Sequence, residues 1–253
     1  MISVSSYAAL SPMTLEEAFK LVSRDFDGWE IVGEGVHTIT DILPELERLI
    51  PSYDLQMSIH APFSDVNIGS FNLRIREEAV RQVIEAIHVA DGVGMRTATV
   101  HPGFFSPLSF SSPKKVLDIT RESIRLIDSS IQGLGIRVGV ENMPDMVVTT
   151  CHKVQDLLYV IEGTDIGICF DVGHANTTGE TENFLQCSDR FVNVHLHDND
   201  GGSDPHMPMG AGTVDFESII GKLSDYPGTF VLESRSYDDA LGGKAFLEKL
   251  LAR

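Results

Sequence analysis

The sequence predicts a single (β/α)8 TIM barrel, an α/β fold, and three observations support this prediction. Eight short β-rich segments alternate with helix-like segments, which is the pattern of parallel βαβ units. The chain has 253 residues, a usual length for such a barrel. No G-x-G-x-x-G motif follows the first strand, which disfavours the competing open, doubly wound sheet. Because no linker or low-complexity segment interrupts the pattern, we predict one domain over residues 1–253.

The predicted strands are short and rich in β-branched and aromatic residues. In chain order they are ISVSSY, GWEIVGEG, LQMSIHA, RTATVHP, IRVGVEN, IGICFDVGH, FVNVHLHD and TFVLES. The segments between and after them carry apolar residues at helical spacing. In chain order these are TLEEAFKLVSRD, ITDILPELERLI, LRIREEAVRQVIEAIHVADGVG, SPKKVLDITRESIRLIDSSIQGLG, CHKVQDLLYVIEG, TENFLQCSD, VDFESIIGKLSDY and DDALGGKAFLEKLLAR. We expect Thr caps at MTLEE and TENF, and glycine-terminated helices at DGVG and GLG.

Composition restricts the partners and the compartment. The formal net charge of −18 disfavours nucleic acid, although bound divalent ions would add positive charge locally. The cysteines, Cys151, Cys169 and Cys187, form no C-x-x-C pair, which disfavours a disulfide framework and a thiolate zinc site. We find no secretory signal pattern and no apolar run of membrane-spanning length. We therefore expect a cytoplasmic protein that does not act at a membrane.

Ionisable residues recur where the predicted strands end. Active sites of such barrels lie at the C-terminal ends of the strands. Six consecutive strands, the third to the eighth, end in potential metal ligands: His60, His101, Glu141, Asp171 with His174, His195, and Glu233. The loop HLHDNDGGSDPHMPMGAG adds Asp204 and His206. Burying these groups together is costly unless a cation neutralises them. Oxygen and nitrogen donors suit a divalent metal such as zinc, manganese, cobalt or magnesium, and the residues leave open whether one ion or several are held.

Each of these residues also has an ordinary structural interpretation. A strand-end His or Glu can be a hydrogen-bonded rim residue, and D-V-G-H can be a turn that caps itself. The glycine-rich loop can be a solvated run of turn formers. We expect His88 and His152 to be surface or packing residues, and Cys169 to pack beside Asp171. His197 shares a strand face with His195, so we expect it to hold a ligand in orientation.

The motifs, from SIHAPF to VLES, resemble the superfamily of xylose isomerase-like barrels, which includes endonuclease IV. The segment IHAPFSDVNIGSFNLRIREEAV followed by VHPG is similar to endonuclease IV, and DPHMPMGAG fits its D-x-H-x-x-x-G-x-G pattern. That family holds three zinc ions, and the resemblance implies nine ligands: His60, His101, Glu141, Asp171, His174, His195, Asp204, His206 and Glu233. The sugar isomerase and epimerase branches hold one metal, and the resemblance assigns it to Glu141, Asp171, His195 and Glu233.

The sequence also departs from both branches. The second-strand loop GEGVHTITD contains no Lys or Arg, and the loop NDGGSDPH is acidic, which disfavours a DNA backbone. Phe63 stands where endonuclease IV commonly has Tyr, and it can still stack on a ligand. The substrate-gripping Glu that ketose epimerases carry shortly after the residue matching Glu141 is missing, since Val147 and its neighbours are apolar. The Arg that they carry after the residue matching His195 is missing as well.

We favour a divalent-metal-dependent isomerase or epimerase that acts on a small sugar or sugar phosphate. In this hypothesis Glu141 and Glu233 transfer a proton and His174 orients a substrate hydroxyl. The expected substrate-binding residues are His60, His101, Phe63 and His197. The alternative is an endonuclease IV-like zinc phosphodiesterase acting at abasic sites, the only hypothesis with DNA as a partner. A non-catalytic metal-binding barrel is the third, and the oligomeric state is left open.

Overall fold

The protein is a closed eight-stranded parallel barrel, which confirms the predicted fold. The computed structural model describes residues 1–8 and 13–252. Each strand pairs in parallel with its sequence neighbours, and β1 pairs with β8 to close the barrel. The strands are β1 (Ile2–Ser5), β2 (Gly28–Val32), β3 (Gln56–His60), β4 (Thr97–Val100), β5 (Arg137–Glu141), β6 (Gly167–Asp171), β7 (Phe191–Leu196) and β8 (Thr229–Leu232).

Helices surround the barrel in the part of the chain that the structure describes. They are α1 (Leu15–Asp25), α2 (Leu43–Leu49), α3 (Leu73–Gly92), α4 (Pro113–Ser130), α5 (Val154–Val160), α6 (Val172–Thr178), α7 (Thr181–Leu185), α8 (Phe216–Lys222) and α9 (Tyr237–Leu251). The last residue of the predicted final helix, 253, lies outside the described residues. Within the described ranges, no helix combines the length and the apolar character that crossing a bilayer requires.

The predicted ends of several elements are wrong. The strand predicted to continue to His174 ends at Asp171, because the Asp171 carboxylate accepts the His174 N–H at 2.7 Å and begins α6. The predicted Thr cap of α7 is also wrong, since Glu180 is the cap residue and makes no side-chain capping bond. Helix α2 begins at Leu43 rather than at residue 39. The expected cap at Thr14 is confirmed, as a full capping box with Glu17.

The two faces of the strands differ in polarity, as β2 shows. Trp29 and Ile31 are fully buried against the helices, and the Trp29 ring packs edge-on against Phe19 of α1. Glu30, between them, points into the barrel, where its carboxylate meets Ser58 of β3 and Asn193 of β7. Strands β2 and β7 are not neighbours, so the contact between Glu30 and Asn193 crosses the barrel interior. The apolar core thus lies between sheet and helices, and the barrel interior carries polar groups.

Candidate metal centre

Four strand-end residues from β5 to β8 meet at one point, and we call them the core group: Glu141, Asp171, His195 and Glu233. Each offers one ligand atom, and these atoms all lie within 4.8 Å of one another. The His195 Nδ1 atom is 3.1 Å from Glu141 Oε1, 3.3 Å from Glu233 Oε1 and 4.0 Å from Asp171 Oδ2. All four side chains are buried. Consecutive parallel strands bring their carboxyl ends to the same rim, which explains the convergence.

Glu141 also belongs to a second group, with His60 and His101. Its other oxygen, Oε2, lies 3.3 Å from His60 Nε2 and 2.8 Å from His101 Nε2. One oxygen therefore faces the core group while the other faces the two histidines. A carboxylate placed in this way is suited to bridge two cations.

The loop after β7 completes a third group with α6, and we call it the loop group: His174, Asp204 and His206. Asp204 Oδ2 lies 3.2 Å from His174 Nε2 and 3.3 Å from His206 Nε2. All nine residues that the sequence singled out as potential ligands are thus brought to the same end of the barrel. Their roles as ligands stay predictions.

His197 lies against the loop group, although it does not line the cavity. Its Nε2 atom is 3.1 Å from Asp171 Oδ1 and 3.5 Å from Asp204 Oδ1. Its ring stacks on the His206 ring, with centroids 3.9 Å apart and planes inclined by 14°. One ring nitrogen of His197 also lies within 4.8 Å of the donor atoms of the loop group, so His197 could add a fourth donor there. Its place beside His206 and Asp171 fits the expected role of holding a ligand in orientation, and its expected role in substrate binding stays a prediction.

Hydrogen bonds set which ring nitrogen several histidines of the centre present. Three histidines bond a backbone carbonyl through Nδ1 and leave Nε2 toward the centre. These are His60 with Ala61 at 2.9 Å, His174 with Asn142 at 2.8 Å, and His206 with Glu233 at 3.1 Å. His195 is turned the other way, with Nδ1 toward the core group and Nε2 toward the barrel interior.

One carboxylate organises the loop that carries Asp204 and His206. Asp198 and Met207 exchange two backbone hydrogen bonds of 2.9 and 2.8 Å and form an isolated antiparallel bridge. The Asp198 side chain accepts the N–H groups of Asn199, Gly210, Gly212 and Val214. His206 has a φ of 50°, in a region that costs a non-glycine residue about 1–3 kcal/mol. The anchored loop holds it there.

Charges in the centre compensate one another by protonation of the imidazoles. Burial alone would lower the pKa of His174, but Asp171, Asp204 and Glu141 outweigh it and raise that pKa to about 10. Burial would raise the pKa of Glu141, yet His101 and His195 hold it well below its usual range. The pKa values of Asp171 and Asp204 are lowered as well, so these carboxylates are ionised and protonated imidazoles such as His174 balance them. Metal ions can replace such protons.

The residues present fit a divalent cation. Two buried carboxylate oxygens, Asp171 Oδ2 and Asp204 Oδ1, have no hydrogen-bond partner among the described residues. An unpaired buried carboxylate oxygen is costly, and a cation is the usual compensation. The donors of the core group are three carboxylates and an imidazole, which suit zinc, manganese, cobalt or magnesium.

A cavity of about 310 Å³ opens over the centre. Its lining includes Glu141, Glu233 and His174, together with the rings of Tyr7 and Phe63. Phe63 packs against His60 and His101, with ring centroids 4.8 and 4.5 Å apart, so it forms a wall rather than a free wedge. Tyr7 stacks on His206. A neighbouring cleft of about 520 Å³ shares Tyr7 and Phe63 with this cavity and continues over the loop after β2.

Three further residues belong to the site although no strand-end pattern indicates them. Asn142 pairs its side-chain amide with both the N–H and the carbonyl of Asp171, each at 2.8 Å. Tyr7 reaches the cavity from the loop after β1. Of the three, only Glu30 could have been recognised from the sequence. A glutamate within the apolar run GWEIV must face the barrel interior or disrupt the strand. Its Oε1 atom lies 3.0 Å from His195 Nε2.

Three residues outside the set of potential ligands lie where they face solvent or pack in the interior. His88 is exposed and bonds the Ser130 carbonyl, as expected for a surface residue. His37, which follows β2, is buried edge-on against Trp29. Cys169 is buried next to the core group, and burial raises the pKa of its thiol above its usual range. Its full burial fits the packing role expected for it, which stays a prediction.

Comparisons with known proteins agree with the fold. The family described as xylose isomerase-like TIM barrel matches residues 19–250. An uncharacterized protein of Methanocaldococcus jannaschii is 31% identical over 98% of this chain and 88% of its own. The structure of a D-tagatose 3-epimerase-like protein superposes with a TM-score of 0.90, at 30% identity over 99% of this chain and 97% of that one. A probable endonuclease 4 of Aquifex aeolicus is 24% identical over 83% of this chain and 78% of its own. Both branches of the resemblance seen in the sequence are thus represented, and the chain belongs to the xylose isomerase-like TIM barrel family.

Proposed function

We propose that the protein is a divalent-metal-dependent isomerase or epimerase acting on a small, uncharged sugar. The observation that carries the proposal is the core group next to a small cavity, which Glu141 and Glu233 line. Three buried carboxylates and one imidazole nitrogen converge there. The cavity of about 310 Å³ lies at the small end of the range of ligand sites, about 300–1,000 Å³.

In this proposal Glu141 and Glu233 transfer the proton. They come from β5 and β8, three strands apart around the barrel, so they reach the substrate from different sides. One carboxylate removes a proton from the carbon next to a carbonyl, and the other carboxyl group returns one. General acid–base steps of this kind contribute about 10²–10⁴-fold in rate. A divalent ion bound by the core group would polarise the substrate carbonyl.

The other lining residues would bind and orient the substrate. His174 holds Nδ1 against the Asn142 carbonyl and presents Nε2 to the cavity side, where Asp204 accepts from it. His60, His101 and Phe63 form the opposite wall. The partly apolar rings of Tyr7 and Phe63, which both line the cavity, suit the apolar face of a sugar and exclude water.

The lining argues against a sugar phosphate. No Lys or Arg lines the cavity or the neighbouring cleft in the part of the chain that the structure describes. Arg235 lies near this rim, but its Nε atom donates to the Pro205 carbonyl at 2.6 Å. A phosphate would instead meet Asp204 and Glu233. We therefore narrow the expected substrate to a neutral sugar.

A phosphodiesterase is the second candidate function, and one observation favours it. Glu141 faces the core group with one oxygen and the two histidines with the other, and the loop group adds a third set of donors. The nine residues could therefore hold three ions, which suits hydrolysis by a metal cluster. The small cavity and the missing cations at its walls disfavour DNA. The cavity itself disfavours the third hypothesis, a barrel with no catalytic role.

Metal content and one double variant distinguish the two reactions. We expect about one divalent ion per chain in protein purified without added metal or chelator, and turnover of neutral ketoses. Asp204→Ala combined with His206→Ala should keep that ion and most of the turnover. Asp200→Ala, in the exposed part of the same loop, is the matched control. Three zinc ions per chain, with phosphodiesterase activity that the double variant loses, would reject the isomerase proposal in favour of the second candidate.

A further inference from the structure

His195 differs from the other histidines of the centre in the group behind it. His60, His174 and His206 present Nε2 to the centre and have a backbone carbonyl behind Nδ1. Behind His195 lies a side-chain carboxylate, that of Glu30, with its Oε1 atom 3.0 Å from Nε2. Glu30 and His195 are both fully buried. A buried carboxylate acting on a metal-binding imidazole does more than a carbonyl, because it also makes the imidazole more basic.

The barrel interior holds the Glu30 carboxylate in one orientation. Ser58 Oγ donates to its Oε2 atom at 3.2 Å, and Asn193 Nδ2 donates to the same atom at 3.1 Å. Oε1 is left facing His195, with no aligned hydrogen bond among the described residues. Two hydrogen bonds thus hold the carboxylate through Oε2, and Oε1 points at the His195 ring.

Three groups lie near the same imidazole nitrogen: Glu30, Asn193 and the Thr99 hydroxyl, which is 3.4 Å from Nε2 and can donate or accept. Asn193 Nδ2 approaches His195 Nε2 at 3.1 Å, and as a donor it would favour an unprotonated Nε2 with the proton on Nδ1. In that tautomer Nδ1 donates to Glu141 Oε1 at 3.1 Å and has no lone pair for a metal. Glu30 can only accept, so it favours the proton on Nε2. The amide and the carboxylate therefore select opposite tautomers.

We propose that Glu30 is a positioning residue that keeps the proton of His195 on Nε2 and so keeps Nδ1 free to bind the metal of the core group. The role concerns metal binding and is independent of which reaction the centre performs. A carboxylate that orients a metal-binding histidine is typically worth 10- to 100-fold in metal affinity. Nothing else described in the barrel interior near Nε2 carries a negative charge that could replace Glu30.

The test compares Glu30→Gln with Ser58→Ala. The glutamine has nearly the same shape but can donate to Nε2, so we expect zinc affinity, measured by competition with a chromophoric chelator, to fall about 10- to 100-fold. Ser58→Ala removes one bond to the same carboxylate but keeps its charge, so its zinc affinity should change less than about threefold. A Glu30→Gln variant that binds zinc as tightly as the wild type would overturn the proposal. Wild-type protein that binds no metal would overturn the metal centre itself.

A second measurement uses the wild-type chain alone, in case Glu30→Gln does not fold. The ¹⁵N chemical shifts of the His195 ring, in zinc-loaded protein labelled on histidine, should show a protonated Nε2 and a metal-bound Nδ1. A purely structural role for Glu30 would not fix this tautomer. Shifts that show a protonated Nδ1, or zinc on Nε2, would contradict the role given to Glu30.

Discussion

At the scale of single residues, Gly173 makes room for His197. A Cβ atom at Gly173 would lie 2.0 Å from Cε1 and 2.4 Å from Nδ1 of the His197 ring. The ring is buried and stacked on His206, so it has no free space to move into. We predict that Gly173→Ala destabilises the protein by about 1–3 kcal/mol, the usual cost of overpacking. Denaturant unfolding of the metal-free protein measures it.

Gly242 provides the matched control for that substitution. It lies inside α9, is exposed, and has no atom within 4 Å of the position of an added Cβ. Gly242→Ala should therefore raise the free energy of unfolding by about 0.5–1 kcal/mol, the helix preference for alanine. Equal stabilities for the two variants would show that the His197 ring is not confined.

The residues of the centre differ in how well the sequence reveals them. The convergence of the strand-end residues could be predicted, because a barrel brings every strand end to one rim. Glu30 was missed because it lies in the middle of β2, where position says nothing about the rim. Only the periodicity of two along a strand turns it inward, and its partners come from β3 and β7. Such contacts depend on strand register, which the sequence does not show.

At the scale of elements, α1 depends on the cap at Thr14. Thr14 Oγ1 accepts the Glu17 N–H at 3.3 Å, and Glu17 Oε2 accepts the Thr14 N–H at 2.9 Å. We predict that Thr14→Ala lowers the free energy of unfolding by about 1 kcal/mol, since alanine cannot accept the hydrogen bond. Thr14→Ser keeps the hydroxyl and should remain close to the wild type in denaturant unfolding. A loss of the same size in both variants would mean that the methyl group matters, not the cap.

Element ends were less predictable than element types. The sequence placed all eight strands, because the alternation of β-rich and helical segments is strong. The sequence pattern wrongly extends β6 to His174, because an apolar run followed by polar residues is compatible with either a strand or a helix. What ends β6 is the bond from His174 N–H to the Asp171 carboxylate, a local choice between turn and strand.

At the scale of the whole molecule, removal of metal should lower the melting temperature. Anything that binds only the folded state stabilises it, by about 2.7 kcal/mol when the free ligand is 100-fold above Kd. We predict a higher Tm for zinc- or manganese-loaded protein than for chelator-treated protein at pH 7. The same comparison on Asp171→Asn, which alters the core group, should show a smaller difference. Identical melting with and without metal would contradict the proposed centre.

The same difference in Tm should grow from about pH 6.5 to pH 10. In the metal-free protein the pKa of His174 is raised to about 10 from an ordinary value near 6.5. Its protonated form therefore stabilises the fold below pH 6.5, and this contribution is lost as the pH rises toward 10. Protons also compete with metal for the ligands, so loading becomes more favourable over the same range. A difference that shrinks with rising pH would contradict this assignment.

The loop held by Asp198 has a consequence for how the centre forms. Four backbone amides share one carboxylate, so they cannot be released one at a time without leaving a buried charge with fewer partners. The loop, which contains almost no regular secondary structure, is thereby ordered when the chain folds and not when an ion arrives. The conformational entropy of Asp204 and His206 is already lost in the folded protein, so an ion at the loop group meets a preorganised site whose affinity is not reduced by loop ordering.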